Sequence, residues 1–221
     1  MLANDLPTGT FPTPTDLDHL ADALHARGFA VLDSLLPAEL VDALFIEART
    51  KDAEAYTRAG TGREQAYRTN RFVRTDEIAW LDRAWSEAES QFLGVMERLR
   101  AGLNERLLLG LFDYEAHFAH YPEGAFYRKH YDAFRGQRNR VLSTVLYLNP
   151  AWQSSDAGAL RLFDPADDTR ELLTLLPQYG RLVIFLSEEF AHEVLPTNRA
   201  RYSIAGWFRV NNSLAIADPP A

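Results

Sequence analysis

Two histidines and one aspartate carry the first chemical signal in this chain. His130 and Asp132 stand two apart in YPEGAFYRKHYDAF, and His192 follows in FAHEVLP. On a strand, residues i and i+2 point to the same face, so imidazole and carboxylate would converge without backbone distortion. His192, just ahead of a further strand, is the candidate third ligand. Two imidazoles and one carboxylate on one face of an octahedral metal leave three positions open, an arrangement suited to Fe(II) and O2. A bidentate oxoacid and O2 then fit side by side. Alone, a His-x-Asp pair also describes an ordinary strand bearing a partly exposed ion pair.

A second group strengthens the first. Nine residues after His192 comes Arg201, which opens RYSIAGWF. Strand alternation places Arg201, Ser203 and Ala205 on one face, with Tyr202, Ile204 and Gly206 on the other. Arginine grips a carboxylate with two parallel hydrogen bonds. An oxoacid that chelates iron at one end and carries a distal carboxylate needs such a fork, and Ser203 can add a hydrogen bond. The competing reading of Arg201 is a surface residue paired with an acid. Of the other histidines, His19 and His25 lie on a predicted helix. His117 and His120, three apart on a predicted strand, face opposite ways and cannot ligate together.

Composition narrows the chemistry. The chain has no cysteine, which excludes disulfides, iron–sulfur clusters and thiolate zinc. Any metal must sit on imidazole, carboxylate or water. Hydrophobic residues make up 47% and charged residues 24% of the 221, ordinary for a folded domain. The formal net charge of -8, from 23 basic and 31 acidic residues, argues against nucleic acid or an anionic membrane as main partner. Two arginine-rich clusters run against that balance, Arg63, Arg68, Arg71 and Arg74, and Arg128, Lys129, Arg135, Arg138 and Arg140. Both are equally read as solvated loop surface. MLANDLPTGT lacks the parts of a signal peptide, and no apolar run nears the roughly 20 residues a bilayer requires. A soluble cytoplasmic protein is expected.

The elements that must hold these residues change character along the chain. Residues 1–14 read as an irregular arm. Thr15 is expected to open a helix with Asp18 as its capping acid and Gly28 as its end. Phe29–Asp33 reads as a strand. Pro37 begins a second helix striped by Leu40, Val41, Leu44 and Ile46. Residues 51–76 are polar and read as a lid, followed by a short amphipathic piece at Glu77–Leu81. Residues 84–101 form a third helix, with Trp85, Ala88, Phe92, Val95 and Leu99 on its apolar face and Gly102 as its stop.

After about residue 105 the period shortens. Eight predicted strands follow: Ala116–Tyr121, Phe126–Tyr131, Leu142–Leu148, Ala159–Phe163, Leu172–Leu175, Leu182–Phe185, Glu193–Leu195 and Tyr202–Val210. That pattern suits a sandwich, barrel or jelly roll. Three helices cannot easily core themselves, so residues 15–104 should buttress one face of the sheet. The expectation is one domain over residues 1–221, mainly β with flanking N-terminal helices.

YPEGAFYRKHYD, VLSTVLYLNPAW, GALRLF, HEVLP and RYSIAGWF appear in the order and spacing of a known family. The chain resembles the 2-oxoglutarate- and Fe(II)-dependent dioxygenases, in the prolyl 4-hydroxylase-like branch that holds the hypoxia-inducible-factor prolyl hydroxylases and their bacterial relatives. HARGFAVLDSLLPAEL and FVRTDEIAWLD extend the likeness upstream, so that it covers roughly residues 16–210. The resemblance implies a double-stranded β-helix, or jelly roll. It implies His130, Asp132 and His192 as metal ligands, with Arg201 and Tyr147 on the distal carboxylate of 2-oxoglutarate. Tyr121 would lie near the chelate, and Leu160 and Val194 would wall the pocket. Arg74, Asp76, Arg140 and Trp207 match substrate-side residues. Ser203 replaces a small apolar residue of some relatives and would enlarge the cosubstrate network. Ascorbate would serve as reductant.

The implied activity is hydroxylation of a prolyl residue in a protein, with translation elongation factor Tu as a candidate on the resemblance to bacterial relatives. The loop from Lys51 to Arg71 departs from the animal enzymes, so peptide specificity does not carry over. A hydroxylase of a free amino acid or small metabolite is the rival enzyme. A non-catalytic jelly-roll sensor of metal or 2-oxoglutarate is the rival outside catalysis.

Overall fold

The computed structural model describes residues 12–51, 55–58, 72–133 and 139–211. The first eleven residues of the expected arm, most of the lid, and Arg63, Arg68, Arg71, Arg135 and Arg138 lie outside that set.

Three helices precede the main run of strands. Helix α1 (Pro14–Arg27) has Thr13 as its N-cap, two residues before the expected Thr15. The Thr13 hydroxyl accepts from the Asp16 amide at 3.2 Å, and the Asp16 carboxylate accepts from the Thr13 amide at 2.9 Å. This closes a capping box with Pro14 in the first turn, where its fixed φ is pre-set for helix. Asp18 instead pairs with Arg106 at 2.7 Å. Gly28 ends α1 as expected, at φ 75°, a left-handed conformation that favours glycine.

Helix α2 (Ala38–Thr50) buries Leu40, Val41, Leu44 and Ala48. Ile46 is 61% exposed, because two residues from Leu44 is about 200° around a helix and faces away. Helix α3 (Glu87–Leu107) starts after Trp85, which is 66% exposed with the Lys51 ammonium 4.6 Å from its ring centre. Its buried stripe is Phe92, Val95, Met96, Leu99 and Leu103. Gly102 does not stop this helix. A Cβ there would lie 2.5 Å from a Leu17 methyl, so the glycine lets α1 pack close against α3.

The strands form two antiparallel sheets. They are β1 (Phe29–Asp33), β2 (Thr57–Arg58), β3 (Glu77–Trp80), β4 (Asp113–Tyr121), β5 (Tyr127–His130), β6 (Arg140–Tyr147), β7 (Leu160–Asp164), β8 (Asp167–Leu175), β9 (Arg181–Leu186), β10 (His192–Val194) and β11 (Arg201–Arg209). The larger sheet runs β1-β9-β6-β11-β4-β3-β2 and the smaller β5-β10-β7-β8. Each of the eight strands expected after residue 105 is present. The piece at Glu77–Leu81 is β3, paired with β4.

Alternation splits the larger sheet between two cores. Phe118, Leu142, Leu146, Leu182, Ile204 and Phe208 pack with the helices on one face. Ala119, Tyr121, Tyr147, Val183 and Phe185 point the other way and meet Leu160, Leu162 and Val194 of the smaller sheet. This is a double-stranded β-helix with an N-terminal helical buttress. Among the described residues no helix is long and apolar enough to cross a membrane.

Gly206 shows how tightly the helix-side core is packed. A Cβ there would sit 2.5 Å from the Tyr114 ring carbon that bears the hydroxyl, and that hydroxyl is fixed at 2.8 Å from Thr144 Oγ1. Gly206→Ala should destabilise by about 1–3 kcal/mol through overpacking. Thermal unfolding checks this, since Tm should fall roughly 2–4 °C per kcal/mol in a chain of this size. An unchanged Tm would contradict the packing described.

Candidate active site

The smaller sheet brings the two histidines together. β5 and β10 are antiparallel, with His130 directly opposite His192. Their rings lie 4.2 Å apart between centres. Asp132 is not on the strand as expected: β5 ends at His130, and Asp132 lies in the bend beyond it. The bend still delivers the carboxylate between the rings. Asp132 Oδ1 is 3.6 Å from His130 Nε2, and Oδ2 is 3.6 Å from His192 Nε2. One ligand atom from each residue lies within 4.8 Å of the others.

The protonation pattern suits a cation. His130 Nδ1 lies 2.7 Å from the Arg128 carbonyl, and His192 Nδ1 lies 3.1 Å from the Phe190 carbonyl. A carbonyl only accepts, so each Nδ1 donates and each Nε2 is the ring atom turned toward Asp132. Burial, reinforced by the nearby His130, pushes the His192 pKa down to about 4. Burial alone would raise the Asp132 carboxyl, but His192, His130 and the Ser143 hydroxyl hold it well below the usual range. The set offers two imidazole nitrogens and one carboxylate oxygen, a donor set that fits Fe(II).

Several supporting residues were not legible as such in the sequence. Ser143 on β6 donates to Asp132 Oδ2 at 2.7 Å and lies 2.8 Å from Ser187 Oγ. Tyr127 stacks on His130 with ring centres 3.5 Å apart, and Phe185 meets His192 edge-on at 4.8 Å. The signal for Ser143 was a small polar residue at an inward position of VLSTVLY, where alternation calls for an apolar one.

A second cluster lies on β11 and its neighbours. Arg201 sits opposite Tyr121, and Ser203 lies between Ala119 and Tyr147. Arg201 is 1% exposed, and among the described residues no carboxylate pairs with it. Its Nη1 donates to Ser203 Oγ at 3.3 Å. Its guanidinium lies 4.8 Å and 5.1 Å from the ring centres of Tyr121 and Tyr147. The Arg201 Nε and the Tyr147 hydroxyl are buried without hydrogen-bond partners. Burial pushes both tyrosine hydroxyls up, so both remain protonated donors. A buried cation beside idle donors is costly unless an anion completes it. Leu160 and Val194, paired across β7 and β10, share the apolar cluster with both tyrosines. A small dicarboxylate fits this cradle.

The family model of the 2OG-Fe(II) oxygenase superfamily matches residues 116–209. A Pseudomonas putida prolyl-4-hydroxylase structure is 45% identical, with a TM-score of 0.79 over 88% of this chain and 99% of that one. The chain belongs to the 2OG-Fe(II) oxygenase superfamily, in its prolyl-hydroxylase-like branch. A Trichoplax adhaerens prolyl hydroxylase, solved with a peptide of hypoxia inducible factor, shares the fold at 23% identity and a TM-score of 0.81, covering 93% of this chain and 94% of that one. A Caenorhabditis elegans hypoxia-inducible factor prolyl hydroxylase is 26% identical over 214 residues, 86% of this chain but 28% of its own length. A Xenopus laevis prolyl 3-hydroxylase is 34% identical over 98 residues, 41% of this chain and 18% of its own length. The chain thus spans less than a third of these two curated relatives.

In this oxygenase the four residues matched to a substrate side do not project as free charges. Arg74 and Asp76 bind each other through two hydrogen bonds of 2.7 Å and 2.5 Å, with Asp76 buried. Burial works against the Arg74 charge, but Asp76 and the nearby tyrosines more than offset it and raise its pKa. The same guanidinium lies 4.3 Å from the Tyr127 ring centre, which links it to the stack on His130. Arg140 binds Glu115 at 2.9 Å and covers the Trp207 ring at 3.6 Å.

Removing the Ser143 hydroxyl should loosen Asp132 without disturbing the fold. Ser143→Ala is expected to weaken Mn(II) or Fe(II) binding by about tenfold, the lower end for a lost hydrogen bond to a ligand. Anaerobic calorimetry with a circular dichroism control reads this directly. Wild-type metal affinity in the variant would dismiss Ser143 as a positioning residue.

Proposed function

We propose that this chain is an Fe(II)- and 2-oxoglutarate-dependent dioxygenase that hydroxylates a prolyl residue of a protein. The observation that carries the reading is the buried Arg201, without a carboxylate partner among the described residues, behind the His130, Asp132 and His192 set. His130, Asp132 and His192 hold the metal. Arg201 and Tyr147 bind the distal carboxylate of 2-oxoglutarate, Ser203 steadies the guanidinium, and Tyr121 closes the same end near the chelate. Leu160 and Val194 exclude water along the pocket wall. Residues 15–210 work as one catalytic unit. When bound, the iron and cosubstrate supply the oxidising chemistry: O2 and 2-oxoglutarate become CO2 and succinate, and one oxygen atom enters a substrate C–H bond.

The prolyl assignment rests on the family branch and on the charge state of the substrate side. Arg74 is held by Asp76 and Arg140 by Glu115. Neither arginine stands ready for the carboxylate of a free amino acid. A neutral polypeptide segment beside the Trp207 ring suits these paired charges better. Elongation factor Tu is our first candidate protein, on the resemblance to bacterial relatives. The donor set complete with Arg201 argues for turnover over a sensing role.

Succinate release from anaerobically purified protein, given Fe(II), 2-oxoglutarate and then O2, tests the reading. Proline-containing peptides should stimulate it and free amino acids should not. Asp132→Ala should abolish metal retention and turnover together. Arg201→Ala should keep the metal but lose about 2–5 kcal/mol of 2-oxoglutarate binding, a rise in Kd of roughly thirtyfold or more. Wild-type turnover in either variant would refute the assignment.

A further inference from the structure

His117 is a buried titratable residue that the proposed chemistry leaves unused. It lies on β4, opposite Ala205 of β11, and is 3% exposed. Alternation puts it on the same face as Ala119 and Tyr121, toward the site. Its ring is bracketed by Trp80 at 5.3 Å and Trp207 at 5.5 Å between centres. The charges that act on it are Arg74, Asp76 and Arg140. His117 therefore stands among the very residues that the family likeness sets against the substrate.

The ring has one idle atom. His117 Nδ1 lies 3.1 Å from the Phe118 carbonyl, so Nδ1 carries the proton and donates. Nε2 is left as an acceptor, and among the described residues nothing hydrogen-bonds to it. Burial and the positive Arg74 push the pKa down to about 4, which agrees with a neutral ring. The adjoining Trp207 has the complementary deficit: its Nε1 is a buried donor without a partner. A buried donor such as Trp207 Nε1 rarely goes unpaired in the working state of a protein. An idle acceptor beside an idle donor matches an extended residue, whose N–H and C=O point to the same side.

We propose that His117 Nε2 accepts a hydrogen bond from a main-chain N–H of the bound polypeptide, with Trp207 Nε1 donating to a carbonyl of the same segment. The target proline has no N–H, so the donor belongs to a flanking residue. His117 is then a specificity-determining residue that favours a polypeptide over a small molecule. This deepens the prolyl-hydroxylase reading above and rests on it.

The test uses a proline-containing peptide selected from a library by stimulated succinate release. Single-ester analogues, with one flanking N–H replaced by oxygen, are compared on wild type, His117→Leu and His117→Gln. Wild type should lose about five- to thirtyfold in kcat/KM at one ester position, the range for an unmade buried hydrogen bond. His117→Leu should show a similar loss with the amide peptide, mainly in KM, and no further loss with that ester. His117→Gln, whose amide oxygen reaches near the Nε2 position, should recover most of it. A ring that only packs between two tryptophans would not distinguish ester from amide. Wild type without a sensitive ester position overturns the inference, even if His117→Leu fails to fold. Equal ester losses in wild type and His117→Leu also overturn it, and both results leave the prolyl reading standing. A wild type that no proline-containing peptide stimulates overturns that reading, and the inference with it.

Discussion

The antiparallel register of β5 and β10 is the constraint from which the site follows. It sets His130 opposite His192, and a slip of one residue would turn either ring to the wrong face. The smaller sheet alone does not complete the site. Asp132 lies beyond the strand and is held by Ser143 of the larger sheet at 2.7 Å. The carboxylate thus meets both imidazoles only when the two sheets face each other. Two carbonyl acceptors, from Arg128 and Phe190, orient the rings through local backbone. Long-range packing and local hydrogen bonding converge on one point between the sheets.

The larger sheet solves a different problem. Its helix-side face is apolar and filled by Phe118, Ile204, Phe208 and the stripe of α3. That face supplies stability, at about 1.5–3 kcal/mol for each large apolar side chain fully buried. The opposite face can then carry costly groups. Arg201 is buried with no anion among the described residues, and Tyr147 and Trp207 bury polar atoms without partners. Such defects are tolerated where a ligand completes them and where packing elsewhere offsets them. Along β11 the inward residues pass from Arg201 and Ser203 to Trp207, so one strand carries both the buried guanidinium and the buried, unpartnered indole N–H.

Charge is handled by pairing. Arg74 with Asp76, Arg140 with Glu115, and Arg209 with Asp113 and Glu115 bring opposite charges together on the inward side of the larger sheet and its margin. The surface clusters of arginine read from the sequence are, where described, largely tied to carboxylates or aromatic rings. The guanidinium of Arg201 differs: it is buried, and among the described residues no carboxylate pairs with it.

The sequence by itself determined the class of fold, the eight strands after residue 105 and the three side chains that come together as the His130, Asp132 and His192 set. Those features are short-range: alternation of two, helical stripes, and ligand types that chemistry restricts. It placed Ile46 and Trp85 wrongly in apolar stripes and took Gly102 for a helix stop. Helix phase, starting point and inter-helix distance are set by packing partners, so local pattern could not supply them. Tertiary structure alone decided that Asp132 lies past its strand, that Ser143 reaches it across the sheets, and that Arg74 spends its charge on Asp76. It also decided that His117 lies buried between two tryptophans. Each of these depends on which atoms from distant segments come within hydrogen-bond or ring-contact distance, which residue order does not encode locally.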